Sequence, residues 1–366
     1  LLAAYTKLCD PSAKRDRRVF IALQKRLLSS CAAFQRTLSK HLEKTGLRIL
    51  EAIDDDASDT GASEDGEIVA AELDRAAQDA AAGGGALPAD GTRRPKAQVI
   101  LDRMQELLRG AAVKPEGKIL ALVDWIRRHQ CPAAGSQWFP TPANASRAWS
   151  DTRLLVFTEY SHTAEYVIKM LRAALAGTER EDERIAYFHG GTPDDSDRAK
   201  DDGRDRQPGR RELQANFNAR PDKHPVRIMV ATDAAREGVN FQAYCADLIH
   251  YDIPWNPGRL EQRNGRIDRT LQPSPEVRCM YFAYPQRTED RVLAVLVEKV
   301  ERIQRELGSL SAVILERIEE SLEPHGIDEG AQRRLELASE GEAGERDAVV
   351  REVESMRREP ARLVKE

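Results

Sequence analysis

Aromatic residues make up only 5% of this 366-residue chain. No stretch approaches the roughly 18 consecutive apolar residues that a membrane-spanning helix needs. C-x-x-C pairs are also missing: Cys9, Cys31, Cys131, Cys245 and Cys279 are odd in number and scattered. Core or neutral thiols in a reducing cytoplasm are the better reading of them. His129-Gln130-Cys131 is too isolated to read as a metal site. Charge of one sign is lacking too. Lys and Arg number 56 against 61 Asp and Glu, for a net charge of −5, so no global basic field advertises a nucleic-acid partner. A phosphate loop is suggested by Lys114-Pro115-Glu116-Gly117-Lys118 and then fails. The preceding glycine, Gly110, stands too far upstream, and Ile119 occupies the place of the required Ser or Thr. The chain opens Leu-Leu-Ala-Ala, without methionine or signal peptide, and a longer parent protein is expected. What the chain does have is charge, 32% of its residues, as expected of a soluble, helix-rich intracellular protein with length for more than one domain.

Apolar spacing divides the chain into five parts. In 1–53, Phe20, Leu23, Leu27, Cys31, Phe34, Leu38 and Leu42 recur at three- and four-residue steps, which predicts one long helix over 16–44. In 54–94, Asp54-Asp55-Asp56, alanines and Gly83-Gly84-Gly85 predict a surface insertion or linker with little to bury. In 95–150, Val99, Met104, Leu107 and Leu108, then Ile119, Leu120, Val123 and Ile126, predict two connector helices; 132–150 reads as an exposed loop. A strand–helix rhythm fills 151–286, starting with apolar Leu154–Thr158 and a helix capped by Ser161. Such alternation predicts an α/β fold, with a parallel sheet and right-handed crossovers. Residues 287–366 read as a C-terminal helical extension, its first helix at about 289–322 packing Val292, Leu296, Val300 and Ile303.

The stretch from Ile228 to Arg269 organises the rest. A buried-strand run ends in Thr232 and Asp233, at the carboxyl end where open α/β sheets place ligands. A glycine-centred loop, Glu237-Gly238-Val239-Asn240, follows, then a second apolar run over 247–252. Trp255 and Pro257 lead into a predicted helix carrying Arg259, Arg263, Arg266 and Arg269. A solvated basic face is the ordinary use of such a helix. The strand–loop–strand–helix context favours phosphate instead, because the planar guanidinium fork suits it. Gly265 argues the same way: a mid-helix glycine costs about 1 kcal/mol, so a close neighbour is expected there.

These residues carry a resemblance. Ala231–Asn240 looks like motif V of superfamily 2 helicases, and Gln262-Arg263-Asn264-Gly265-Arg266-Ile267-Asp268-Arg269 looks like their motif VI. Trp255-Asn256-Pro257 is similar to the W-N-P of Swi/Snf-type DNA-dependent ATPases. Leu155–Tyr160 resembles motif IV and Tyr187–Thr192 its downstream partner, so the match covers about 151–285. The segment QKRLLSSCAAFQRTL and the K-x-x-x-L that begins at Lys118 resemble helices preceding the second motor lobe in bacterial members.

The resemblance implies a RecA-like parallel sheet with helices on both faces. It implies that Arg266 and Arg269 are arginine fingers, directed at ATP held with Mg2+ mainly by an N-terminal RecA-like lobe. Gln262, Gly238, Asn240 and Asp233 would then lie on the nucleotide side. Gly190, Gly191, Thr192, Thr232, Trp255 and Asn256 would grip the backbone of double-stranded DNA. Glu237 and Thr270-Leu271-Gln272 depart from the eukaryotic remodeller pattern and fit the bacterial branch better. That branch includes RNA-polymerase-recycling ATPases and the DISARM anti-phage helicase subunit, which Arg302–Leu310 resembles more. Neither G-x-x-x-x-G-K-[ST] nor D-E-x-H occurs, so the chain reads as half a motor that does not hydrolyse ATP alone. The competing readings are a scaffold lobe that has lost its motor partner and a phosphate-handling metabolic enzyme.

Overall fold

The computed structural model describes residues 1–9, 14–45, 93–112, 114–140, 142, 144–190, 192, 208–233, 239–284, 286–307, 327 and 331. The expected insertion at 54–94, apart from its last two residues, lies outside them, as does the C-terminal helix beyond Leu307. Two compact units divide the chain: Leu1–Pro254 with Arg259–Ala283, and Trp255–Gly258 with Tyr284–Glu366.

The first unit begins with helices α1 (Leu2–Cys9), α2 (Lys14–Ser29), α3 (Cys31–Thr45) and α4 (Arg93–Ala112). The predicted apolar stripe is buried: Phe20, Leu23, Phe34, Leu38 and Leu42 share one cluster with Tyr5, Leu101, Met104 and Leu108. The single helix predicted over 16–44 is nevertheless two, broken at Ser30. Ser30 caps the second: its Oγ accepts the Ala33 N–H at 3.1 Å, while the Cys31 N–H donates to Glu116 Oε1 at 2.7 Å. Both satisfy donors that a helix start leaves open. Periodicity alone cannot show this break, because the apolar stripe continues through it. Ser30→Ala is expected to lower stability by about 1 to 2 kcal/mol, read from denaturant midpoints, since the cap oxygen is buried.

Next come α5 (Gly117–His129) and five strands: β1 (Leu154–Thr158), β2 (Ile185–Phe188), β3 (Ile228–Thr232), β4 (Asp247–His250) and β5 (Arg278–Tyr281). All pair in parallel, in the order β2-β3-β1-β4-β5. Helix α6 (Ser161–Leu175) follows β1, and α7 (Arg210–Asn218) lies between β2 and β3 in the chain. Alternate strand residues feed two cores. Leu154, Val156, Ile228, Val230 and Ile249 pack with apolar residues of α5 and α6. Leu155, Phe157, Met229, Ala231 and Leu248 pack with Leu213 and Phe217 of α7, and with Phe241 and Ile267. Burial on both faces explains why β1 and β3 are near-continuously apolar rather than alternating. This is the expected α/β architecture, a parallel sheet with helices on both faces.

The loop at 132–150 is less exposed than predicted. Cys131 and Ala134 are fully buried, and Trp138, Phe139 and Trp149 pack half-buried on the first core. Gly135 turns the chain at φ +72°, where an added Cβ would lie 2.4 Å from Val123 Cγ1. Only glycine fits there.

In the second unit, α8 (Pro257–Asn264) begins and α9 (Thr288–Leu307) lies whole. Helix α9 buries Val292, Leu293, Leu296 and Val297, and its Asp290 Oδ2 accepts the Tyr284 N–H at 2.8 Å.

Candidate functional site

Because β3 and β4 flank β1, the carboxyl ends of three central strands bring Thr158–Glu159, Thr232–Asp233 and the Asp252 that follows β4 together. Helix α8 meets them. Its start is written in Asn256-Pro257: Asn256 Oδ1 accepts the Gly258 N–H at 2.8 Å, and proline stands first in the helix, where its missing donor is not needed. Trp255 is buried, and it belongs with Asn256 to the second compact unit.

The helix is shorter than the sequence predicts, and it stops at Asn264. Beyond it the chain tightens into turns: the Arg266 N–H donates to Arg263 O at 3.1 Å, and the Ile267 N–H to Asn264 O at 3.1 Å. Two tertiary anchors set this end. Ile267 is fully buried in the second core. Asn264 Oδ1 lies 2.8 Å from His250 Nε2. Burial, then the nearby Arg263, push the His250 pKa down to about 3, so the ring is neutral and its Nε2–H donates. Gly265 therefore lies in a turn, and a Cβ there would meet Glu261 O at an ordinary 3.4 Å. Among the described residues, the close neighbour expected at this glycine is absent.

The four arginines do not share one role. Arg263 is fully buried. Its Nε donates to Asp233 Oδ1 at 2.6 Å, its Nη1 to Asp252 O at 2.9 Å, and its Nη2 to Asp252 Oδ1 at 3.4 Å. Burial opposes its charge, yet Asp233 and Asp252 outweigh burial and push its pKa up. Arg259 Nη1 lies 3.1 Å from Glu159 Oε1 and 3.8 Å from Asp233 Oδ2. Glu159 in turn has its pKa raised by burial, against the pull of Lys25 and Arg259. The expected run of neighbouring guanidiniums facing an anion is thus corrected: Arg259 and Arg263 are engaged by carboxylates of their own lobe. Asp233, expected on the nucleotide side, is held by Arg263.

Arg266 and Arg269 differ. Arg266 donates from Nη1 to Val239 O at 2.9 Å and from Nε to Gln262 O at 3.2 Å. Arg269 is exposed, and its Nη1 donates to Asn240 Oδ1. Among the described residues no carboxylate pairs with it. The Phe241 N–H donates to Arg266 O at 2.9 Å, and Asn240 O accepts from Asn218 Nδ2 at 2.7 Å and Gln214 Nε2 at 3.2 Å. The residues expected from motifs V and VI are therefore stitched together at Asn240, Gln262, Arg266 and Arg269.

Of the residues expected to grip nucleic acid, Gly190, Thr192 and Thr232 lie in the first compact unit and Trp255 and Asn256 in the second. Thr192 is buried and its Oγ1 accepts the His189 N–H at 3.0 Å, closing a turn. Arg210 braces that turn through Gly190 O at 3.0 Å and Thr192 O at 3.1 Å. Thr232 is wholly buried at the end of β3, so its hydroxyl does not face solvent. Gly191 and Gly238 lie outside the described residues. Sequence reasoning missed Glu159 and Asp252. Their signal was available: each is a carboxylate just beyond an apolar strand, as Asp233 is.

All five cysteines are free. Among the described residues no group of three or more His, Cys, Asp or Glu could hold a metal ion, and no helix is long and apolar enough to cross a membrane. The strand-end carboxylates, engaged by arginines, do not fit as Mg2+ ligands.

Residues 146–270 match the family model described as the helicase conserved C-terminal domain. A protein named uncharacterized ATP-dependent helicase YqhH, from Bacillus subtilis (strain 168), is 36% identical over 100 residues, covering 27% of this chain and 18% of that protein. The RNA polymerase-associated protein RapA of Yersinia pestis (strain Pestoides F) is 33% identical over 146 residues, 40% of this chain and 12% of that protein. RapA of Sodalis glossinidius (strain morsitans) is 32% identical over 121 residues, 33% of this chain and 10% of that protein. The matched part of the chain thus spans less than a fifth of these relatives. A solved structure, that of the C-terminal part of the Fun30 ATPase domain, aligns over 87% of this chain and 84% of its own at 14% identity, with a TM-score of 0.36. That score carries no weight beside the sheet order and the matched domain. Residues 146–270, which hold the five-stranded parallel sheet apart from the last strand, are thus similar to the helicase conserved C-terminal domain.

Proposed function

We propose that this chain is the second motor lobe of an ATP-dependent double-stranded-DNA translocase, working in the cytoplasm against an N-terminal RecA-like lobe of the same parent protein. Arg269, with Arg266 beside it, would act as arginine finger on ATP whose Mg2+ and β-phosphate are held mainly by that other lobe. The carrying observation is the division among the arginines: Arg259 and Arg263 are engaged by carboxylates, while Arg269 is exposed with an amide oxygen as its side-chain partner among the described residues. Asn240 orients it, and Gln262 O orients Arg266. When bound, ATP supplies the phosphoryl group; this lobe's part is fixed positive charge where negative charge develops. The relatives named as an ATP-dependent helicase and as RNA polymerase-associated support this reading, and they suggest bacterial transcription as its setting. A phage-defence setting has only the partly described Arg302–Leu310 behind it, and phage plaque counts with and without the gene would test it.

Nucleic-acid contact would come through the phosphates, without base reading. The chain is expected to bind duplex DNA with an affinity that falls by roughly 10² between 50 and 200 mM salt, for about four phosphates neutralised. Fluorescence anisotropy across a salt series measures this. Binding indifferent to salt, or strongly selective for one sequence, would defeat the backbone-grip reading. A reading frame continuing upstream into G-x-x-x-x-G-K-[ST] and D-E-x-H separates the motor from a scaffold lobe that has lost its partner.

A further inference from the structure

The break between α2 and α3 ends on the arginine site. Asp252, 6% exposed, collects partners from separate parts of the chain on one carboxylate. Ser29 Oγ donates to its Oδ2 at 2.6 Å, and Thr158 Oγ1 donates to the same oxygen. The Glu159 N–H donates to Oδ1 at 2.9 Å, and Arg263 donates to the other side of Oδ1 and to the backbone oxygen.

The direction of the hydroxyl bonds follows from proton counting. A carboxylate only accepts, so Ser29 spends its one proton on Asp252. In the 2.7 Å contact between Ser29 Oγ and Thr163 Oγ1, Thr163 is therefore the donor. In the 2.9 Å contact between Ser30 Oγ and Thr163 Oγ1, the donor is then Ser30, which itself accepts the Ala33 N–H. One directed relay runs from the first turn of α3 through Ser30, Thr163 and Ser29 to Asp252, and so to Arg263. All of its side chains are buried.

A second clamp lies alongside. The buried Lys118 Nζ donates to Leu28 O at 2.6 Å and Ser29 O at 3.2 Å, the last carbonyls of α2, and to Tyr251 O at 2.9 Å. A cation at a helix C-terminus satisfies open carbonyls and the helix dipole together. Here it also ties that helix end to the residue before Asp252. The Arg26 guanidinium adds a third tie, 3.5 Å from the ring centroid of Tyr160.

Nothing in the expected functions of Arg266 and Arg269 requires the helical region to reach this carboxylate. We propose that the α2–α3 break is a coupling element: the relay and the Lys118 clamp fix Asp252, and Asp252 fixes Arg263 and with it the turn that carries the fingers. Ser29, Thr163 and Asp252 are thus positioning residues, an inference that rests on reading Arg266 and Arg269 as fingers. A shift of the helical region would be passed to the fingers through buried hydrogen bonds, which have few alternative partners.

Two variants remove hydroxyls and one keeps its hydroxyl. In the full-length parent, Ser29→Ala is expected to lower kcat for ATP about tenfold with KM within about twofold, because small misplacements of catalytic groups weigh on the chemical step. Thr163→Val, which keeps shape but not the hydroxyl, should follow it, and Thr163→Ser should stay near the parent rate. In this chain itself, amide hydrogen exchange at 266–269 should rise about tenfold in Ser29→Ala and Thr163→Val, while β1 and β3 keep their protection. Unchanged exchange at 266–269 together with unchanged kcat overturns the proposal, even if the melting temperature falls. So does a Thr163→Ser variant as slow as Thr163→Val. Arg269→Ala, run beside them, separates the two readings. If it leaves turnover intact the finger assignment fails, whereas the exchange data still judge the coupling.

Discussion

On the proposed reading, Arg266→Ala and Arg269→Ala, each made in the full-length parent, are expected to lower ATP turnover by roughly two or more orders of magnitude, since arginine fingers contribute about 10³–10⁵ in rate. ATP affinity should change little, because the finger acts on charge that is present chiefly in the transition state. Arg266→Lys should not rescue, since an ammonium does not reproduce the fork that spans Val239 O and Gln262 O. Arg259→Ala is the comparison: it stands on α8 beside Glu159, outside the finger positions, and should reduce turnover far less. Steady-state kinetics with ATP binding measured separately checks all four. Equal damage from Arg259→Ala and Arg266→Ala, both folded, would mean that α8 and its turn serve the fold or DNA rather than catalysis.

The second large effect is on folding. Arg263→Ala is expected to lower stability by about 3–5 kcal/mol, because removing one partner of a buried ion cluster leaves charge uncompensated. The residue is fully buried between Asp233 and Asp252, and its guanidinium also lies 5.6 Å from the Phe157 ring centroid. The variant would strand two carboxylates at the strand ends rather than merely open a cavity. A fall in melting temperature on the order of 10 °C goes with a loss of this size. Arg263→Lys should recover only part of it, since one ammonium cannot meet Asp233 and both acceptors of Asp252 with fork geometry. Guanidinium-chloride unfolding of this chain reads it out. A loss below about 1 kcal/mol would show that the cluster is screened as surface pairs are.

Local pattern was enough for the strands and for their burial. Leu154–Thr158 and Ile228–Thr232 are apolar runs bounded by polar residues, and a parallel sheet covered on both faces needs just that. The start of α8 was equally local, since Asn256 caps it from two residues away. The arginine spacing was legible as well.

What each arginine does was settled by partners far along the chain. Arg263 meets Asp233 and Asp252, and Arg259 meets Glu159, 100 residues upstream. Spacing on a helix cannot say which carboxylate will arrive, because that depends on strand order: β3 and β4 must flank β1 before three acids converge. The same holds for the end of α8, pinned by His250 and the buried Ile267, and for the break at Ser30, where Thr163, Asp252 and Glu116 satisfy polar groups that a continuous helix would have left buried. Sequence by itself determined the sheet, the covering helices and the spacing of the arginines. The tertiary structure alone decided which of those charges are neutralised inside the lobe, because buried charge must be paired and the pairing is made by contacts between distant segments.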